Sequence, residues 1–70
     1  RRMGVGSALL DALKTEAARR GLSVLMLEVR ASNTAAQTLY EKNGFERVGV
    51  RRGFYAAPRE DAFLYNWYLK

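Results

Sequence analysis

The sequence lacks several residue types on which small domains commonly depend. Its 70 residues contain no cysteine, no histidine and a single proline. Disulfides are therefore excluded, and a structural zinc site is not expected, since zinc is held mainly by cysteine and histidine. A Ser–His–Asp or Cys–His nucleophile cannot be assembled either. The carboxylates show no metal-ligand spacing, so we expect no metal.

Long apolar runs are absent as well. No stretch approaches the ~20 apolar residues that a helix needs to cross a bilayer, which excludes a transmembrane protein. The chain starts Arg1-Arg2-Met3, without an initiator methionine or a signal-type apolar stretch, which suggests a piece of a longer chain. The absence of cysteine is compatible with a reducing cytoplasm, which is the compartment we expect.

Positive charge is in excess. Twelve Lys and Arg residues face seven Asp and Glu residues, for a net charge of +5 and a pI of about 10.1. Such an excess predicts an anionic partner, either a phosphate-rich cofactor or nucleic acid, unless it is simply a solvated basic face. A nucleic-acid-binding module would use Arg47, Arg51, Arg52, Arg59, Phe54 and Tyr55. No RNA-binding signature accompanies these residues.

Hydrophobic periodicity predicts the element order αβαββ and an α/β (α+β) fold in which two helices flank a mixed sheet. We predict a first helix over 4–20, which ends at Gly21, followed by a strand over 22–29. A second helix runs from Ser32 or Asn33 to about Asn43 and ends at Gly44. A strand over 45–52, a loop from Gly53 through Pro58 to Asp61, and a strand over 62–69 complete the chain. The run over 22–29 is typical of a parallel strand covered on both faces, whose partner would precede residue 1. The last two strands are predicted to form an antiparallel hairpin, with the aromatic side chains of 63, 65 and 67 in the core.

The segment Arg1–Ser7 opens the first helix with two glycines. Glycines let a ligand approach the backbone, and the N–H groups and dipole of a helix start favour anions, so the segment predicts a phosphate cradle. A P-loop would need Gly-Lys-Ser/Thr at its end, where this chain has Gly6-Ser7-Ala8. A dinucleotide fingerprint would need Gly or Ala in place of Leu9, but the acid Glu28 at the end of the following strand keeps that alternative open. The remaining pattern, R-x-x-G-x-G, suits the pyrophosphate of coenzyme A. The alternative is a tight turn without a ligand.

Glu28 interrupts the apolar strand near its carboxyl end, where open α/β sheets place their ligands. Partial burial there would make the carboxylate a stronger base, as general-base catalysis near neutral pH requires. Alternatively, Glu28 forms a salt bridge with Arg30 or another arginine.

Asn33 and Tyr40 lie seven residues apart and therefore share one face of the second helix, with the small Ala36 between them. This leaves room for a ligand along the helix, and a phenol can protonate a departing thiolate of similar basicity. Alternatively, Tyr40 packs in the core beside Leu39.

Taken together, these segments resemble the GNAT superfamily of acetyl-CoA-dependent N-acetyltransferases, and within it the bacterial ribosomal-protein alanine N-acetyltransferases. The resemblance covers roughly residues 1–64. The matching segments are R-x-x-G-x-G at the start, LEVRASN over 27–33, Ala35-Ala36, Leu39-Tyr40-Glu41, Gly44-Phe45, Arg51-Arg52, Phe54-Tyr55 and Glu60-Asp61-Ala62. Phe54 stands where that family often has tyrosine.

The resemblance implies acetyl transfer from acetyl-CoA to a primary amine by direct attack, without an acyl-enzyme. It implies Glu28 as general base and Tyr40 as general acid. The implied coenzyme A contacts are Arg1, Arg2, Met3, Gly4, Val5, Gly6 and Ser7 on the pyrophosphate and Asn33 on the pantetheine arm. The implied acceptor is the N-terminal α-amino group of a (ribosomal) protein or peptide. A polyamine or an antibiotic amine is the alternative acceptor.

The resemblance further implies that residues 1–70 form the C-terminal part of an acetyltransferase domain, without its N-terminal half. A strand of that half would lie beside the strand that carries Glu28. We therefore expect the 70-residue chain to be inactive or nearly so alone. We also expect it to self-associate through the unpaired edge of the strand over 22–29.

Overall fold

The computed structural model describes the backbone of residues 2–69 and the side chains of residues 6–69. The elements follow the predicted order αβαββ. They are helix α1 (Arg2–Arg19), strand β1 (Val24–Arg30), helix α2 (Thr34–Lys42), strand β2 (Glu46–Ala56) and strand β3 (Arg59–Tyr68). Within the described chain, neither helix is long and apolar enough to cross a membrane.

The predicted ends of the helices are mostly confirmed. Gly21 and Gly44 follow the two helices with φ angles of 72° and 88°, a left-handed conformation that glycine adopts without a steric penalty. Asn33, rather than Ser32, is the N-cap of α2, because its side-chain oxygen accepts a hydrogen bond from the Ala36 N–H at 3.1 Å. Helix α1 begins at Arg2, two residues before the predicted start.

The three strands form a sheet in the order β1-β3-β2, in which both pairs are antiparallel. The predicted hairpin of the last two strands is confirmed. A mixed sheet would need a further strand parallel to β1, and that pairing stays a prediction. Strand β1 is not covered on both faces as expected, because Met26 on its outer face is 72% exposed.

The predicted loop from Gly53 to Asp61 is wrong. Strand β2 continues to Ala56, and β3 already begins at Arg59. The polar residues that suggested a loop have partners in the folded chain. The Asp61 carboxylate accepts from the Gly53 N–H of β2 at 2.8 Å, and the Glu60 carboxylate accepts from the Ser32 hydroxyl in the turn after β1 at 2.8 Å.

Both helices cover the same face of the sheet. The buried core joins Leu10 of α1, Val29 of β1, Phe45 and Tyr65 of β3. Half-buried apolar side chains pack around it, namely Leu25, Leu27, Ala36, Leu39, Tyr40, Phe63 and Trp67. The prediction that the aromatic face of β3 lies in the core is confirmed. The other face of the sheet carries no helix in the described chain, and we call it the open face.

Candidate active site

Glu28 lies on the open face of β1, since the alternate residues Leu27 and Val29 pack toward the core. Its side chain is 38% exposed, and one carboxylate oxygen accepts from the Arg51 guanidinium at 3.1 Å. The salt bridge considered for Glu28 is thus present, with Arg51 as its partner. Arg30 instead lies 4.0 Å from the Glu60 carboxylate. A carboxylate in this exposed setting remains accessible to a ligand.

A groove of about 720 Å³ runs over the open face beside Glu28. Its lining combines four apolar side chains with four polar or charged ones: Met26, Leu27, Val48, Leu64, Glu28, Arg51, Tyr55 and Asn66. Apolar walls with a few polar groups are typical of ligand sites. The groove therefore has room for a small acceptor group next to the Glu28 carboxylate.

Tyr40 lies on the other side of the sheet. Its half-buried ring packs against Phe45 at 5.9 Å and edge-on against Tyr65 at 5.6 Å between centroids. The core packing considered for Tyr40 is thus present, and its role as an acid stays a prediction. Asn33, seven residues earlier, is exposed and uses its side-chain oxygen to cap α2.

The sheet therefore separates the two residues predicted to move protons. Glu28 projects from the open face of β1, whereas Tyr40 lies among the side chains of the helix-covered face. Glu28 and Tyr40 therefore cannot exchange a proton directly.

Of the segment predicted to bind pyrophosphate, Arg1 lies outside the described residues, and the side chains of Arg2, Met3, Gly4 and Val5 are not described. The backbone from Arg2 onward is helical rather than a loop. The first turn of a helix keeps N–H groups that have no partner inside the helix, so donors for an anion remain there.

Gly6 and Ser7 lie beyond that first turn and contact α2. A Cβ at Gly6 would come within 2.7 Å of a terminal methyl group of Leu39, so a larger residue there would require the Leu39 side chain to shift. The Ser7 hydroxyl accepts from the Asn43 side-chain amide at 3.2 Å. Their observed contacts are thus structural, and a role in binding pyrophosphate stays a prediction.

Two contacts at the site were not predictable from spacing. Arg51 reaches Glu28 across 23 positions of sequence, and the Tyr65 hydroxyl donates to the Glu41 carboxylate at 2.9 Å across 24 positions. Burial, followed by the hydrogen bond to Glu41, raises the pKa of Tyr65 above its ordinary value of 10.0. The order of strands brings Arg51 to Glu28, and the packing of α2 on the sheet brings Glu41 to Tyr65.

The residues that could hold a metal ion are also limited. Across residues 2–69, no group of three or more His, Cys, Asp or Glu side chains is close enough to bind one.

Comparison with known proteins places this arrangement in a family. The profile of the acetyltransferase (GNAT) family matches residues 1–45. The [ribosomal protein bS18]-alanine N-acetyltransferase of Escherichia coli strain K12 is 49% identical over 65 residues, which cover 90% of this chain and 44% of that protein. The chain thus spans less than half the length of this curated relative.

Solved structures of acetyltransferases also resemble this chain. The crystal structure of the ribosomal-protein-S18-alanine N-acetyltransferase from Escherichia coli matches with a TM-score of 0.85 and 44% identity, covering all of this chain and 46% of that one. The NatC complex bound to Gag peptide and CoA matches with a TM-score of 0.85 and 30% identity, covering 91% of this chain and 40% of that one. Because the family profile covers more than half of its residues, the chain belongs to the acetyltransferase (GNAT) family.

Proposed function

We propose that this protein takes part in the transfer of an acetyl group from acetyl-CoA to a primary amine, with the N-terminal α-amino group of a ribosomal protein as the favoured acceptor. The observation that carries the proposal is the accessible Glu28 carboxylate at the edge of an apolar groove on β1. Family membership and the name of the Escherichia coli relative support the reaction and the acceptor.

In this proposal Glu28 accepts a proton from the acceptor ammonium, directly or through water. The neutral amine then attacks the thioester carbonyl carbon, the carbon–sulfur bond breaks, and the amide nitrogen releases its extra proton to water. Tyr40 donates a proton to the departing thiolate.

The acceptor's own acidity favours an α-amine. An α-amino group has a pKa of about 7.8 and is partly neutral at pH 7, whereas a lysine amine has a pKa of about 10.4. Deprotonating the lysine costs roughly 3.5 kcal/mol more. Glu28, exposed and paired with Arg51, is suited to the easier of these two tasks.

Acetyl-CoA would lie along the start of α1 and the start of α2. The free N–H groups of the first turn of α1 and the guanidinium groups of Arg1 and Arg2 have the chemistry that a pyrophosphate needs. The exposed Asn33 keeps its side-chain NH₂ for the amide-rich pantetheine arm while its oxygen caps α2. Bound acetyl-CoA supplies the activated acetyl group.

The domain assignment also stays a proposal. Residues 1–70 are the C-terminal part of an acetyltransferase domain, and the 70-residue chain alone is inactive or nearly so. The cytoplasm, with which a cysteine-free sequence is compatible, is the proposed compartment.

An exchange of segments tests the proposal. The aligned 65 residues of the Escherichia coli relative are replaced by those of this chain, which gives what we call the exchanged enzyme. We expect it to acetylate a peptide that begins with alanine at a rate comparable to the parent enzyme. A peptide with a blocked N-terminus and a free lysine, and a polyamine, should react at least tenfold more slowly. A correctly folded exchanged enzyme that prefers the polyamine would overturn the acceptor, and one that acetylates no amine would overturn the reaction.

A further inference from the structure

On the open face, Arg51 holds the carboxylate that the acceptor amine must reach. We propose that Arg51 competes with the acceptor for Glu28: an acceptor ammonium binds Glu28 by taking the place of the Arg51 guanidinium. This inference rests on the proposed function, because it treats Glu28 as the group that receives the amine.

The path of Arg51 to Glu28 depends on a small residue between them. Strand β3 separates β1 from β2, and the register places Leu64 opposite Glu28 and Ala62 opposite Arg51. With ~4.8 Å between neighbouring strands, β1 and β2 lie about 10 Å apart. The long Arg51 side chain spans this distance. The residue opposite Arg51 on the middle strand is Ala62, whose side chain is only a methyl group and does not block the path.

A second contact holds Arg51 in place. Its guanidinium lies 4.5 Å from the centre of the Phe54 ring. In a regular strand, residues three apart face opposite sides and could not touch. Between Arg51 and Tyr55, however, β2 contains two more residues than the paired segment of β3, and Gly53 within this bulge has a φ of 60°. The bulge therefore brings the Phe54 ring to Arg51.

The pair is strong enough to occupy Glu28 and weak enough to be displaced. The Arg51 and Glu28 side chains are 55% and 38% exposed. Exposed ion pairs of this kind change an equilibrium by only about 1.5- to 5-fold. An incoming ammonium restores the charge pairing at Glu28, and Met26 and Leu64 offer apolar contacts to the group attached to its nitrogen.

The neighbouring Arg52 provides a matched control. Its guanidinium lies 3.7 Å from the Asp61 carboxylate, its side chain is 87% exposed, and it does not line the groove. Replacing either arginine by glutamine removes one positive charge, at adjacent positions of the same strand. Only Arg51→Gln frees Glu28.

Alaninamide, a small α-ammonium compound, is the probe. Its binding to the 70-residue chain is followed by NMR through the signals of Glu28 and of the Arg51 side-chain N–H groups. We expect Arg51→Gln to tighten binding about 1.5- to 5-fold, Arg52→Gln to leave it unchanged within error, and Arg51→Lys to fall between. Alaninamide should also shift the Arg51 side-chain signals of the unsubstituted chain.

The outcomes separate the inference from the function on which it rests. If Glu28→Gln abolishes alaninamide binding but Arg51→Gln leaves it unchanged or weakens it, Arg51 is not displaced, and the inference fails while Glu28 remains the amine site. If Glu28→Gln has no effect, or none of the variants binds alaninamide, Glu28 does not receive the amine, and the inference fails together with the proposed base.

Discussion

At the scale of single residues, the side chains proposed for the site already have structural contacts. Asn33 caps a helix, Tyr40 packs against two aromatic rings, and Glu28 forms a salt bridge. The alternatives considered from the sequence were therefore not exclusive, since a residue held by its neighbours is also well positioned for chemistry. Sequence spacing singled out these three residues and predicted the cap at Asn33, but it did not predict the contacts of Glu28 and Tyr40, whose partners lie elsewhere in the fold.

Tyr65 gives a residue-scale prediction for stability against pH. Its side chain is fully buried, and burial together with the Glu41 hydrogen bond raises the pKa of its hydroxyl above 10.0. The unfolded chain therefore loses this proton at lower pH than the folded chain does. The stabilisation is complete below the unfolded value near pH 10 and is lost as the pH rises through the folded value.

We expect the free energy of unfolding to fall more steeply above pH 10 in the unsubstituted chain than in Tyr65→Phe. Urea unfolding at several pH values between 9 and 11 measures this slope. Tyr68→Phe removes a hydroxyl from a side chain that is 54% exposed and should keep the steep slope. Equal slopes for the unsubstituted chain and Tyr65→Phe would contradict the account.

At the scale of elements, helices were easier to predict than strands. Glycines after the last helical turn fixed both helix ends, because a left-handed residue stops a helix whatever its surroundings. The extent of β2 and β3 was missed, since Asp61 and Glu60 look like loop residues until their partners in the folded chain are known. The exposed outer face of β1 was missed too, because an apolar run does not reveal how many of its faces are covered.

The start of α1 gives an element-scale prediction for acetyl-CoA binding. Position 4 lies in the first helical turn, where an acidic side chain favours the helix but repels a pyrophosphate. Gly4→Glu and Gly4→Gln add side chains of nearly equal size that differ by one charge. By calorimetry, Gly4→Glu should bind acetyl-CoA at least several-fold more weakly than Gly4→Gln. Equal affinities would show that the pyrophosphate does not lie at this turn.

At the scale of the whole molecule, the sheet has an unpaired edge. Strand β1 is bonded to β3 on one side only among the described residues, and Met26 on it is 72% exposed. An apolar edge strand is a template for pairing with another chain. We therefore propose that the isolated 70-residue chain self-associates through β1.

Sedimentation at several concentrations tests this association. The unsubstituted chain should form dimers or larger species as its concentration rises, and Met26→Lys should shift it toward monomer because a lysine opposes edge pairing. Leu9→Lys adds the same charge on α1, at a side chain that is 62% exposed, and should associate like the unsubstituted chain. A monodisperse monomer at all concentrations would exclude edge pairing.

The central claim is that Glu28 receives the proton of the acceptor amine. The most direct test is kcat/KM for the alanine-initiated peptide in the exchanged enzyme, with Glu28→Gln compared with Glu46→Gln. Glu46 is an exposed carboxylate on β2 that does not line the groove. The account predicts that Glu28→Gln lowers kcat/KM by about 10²- to 10⁴-fold, while Glu46→Gln changes it by less than about threefold. Equal values for the two variants would contradict it.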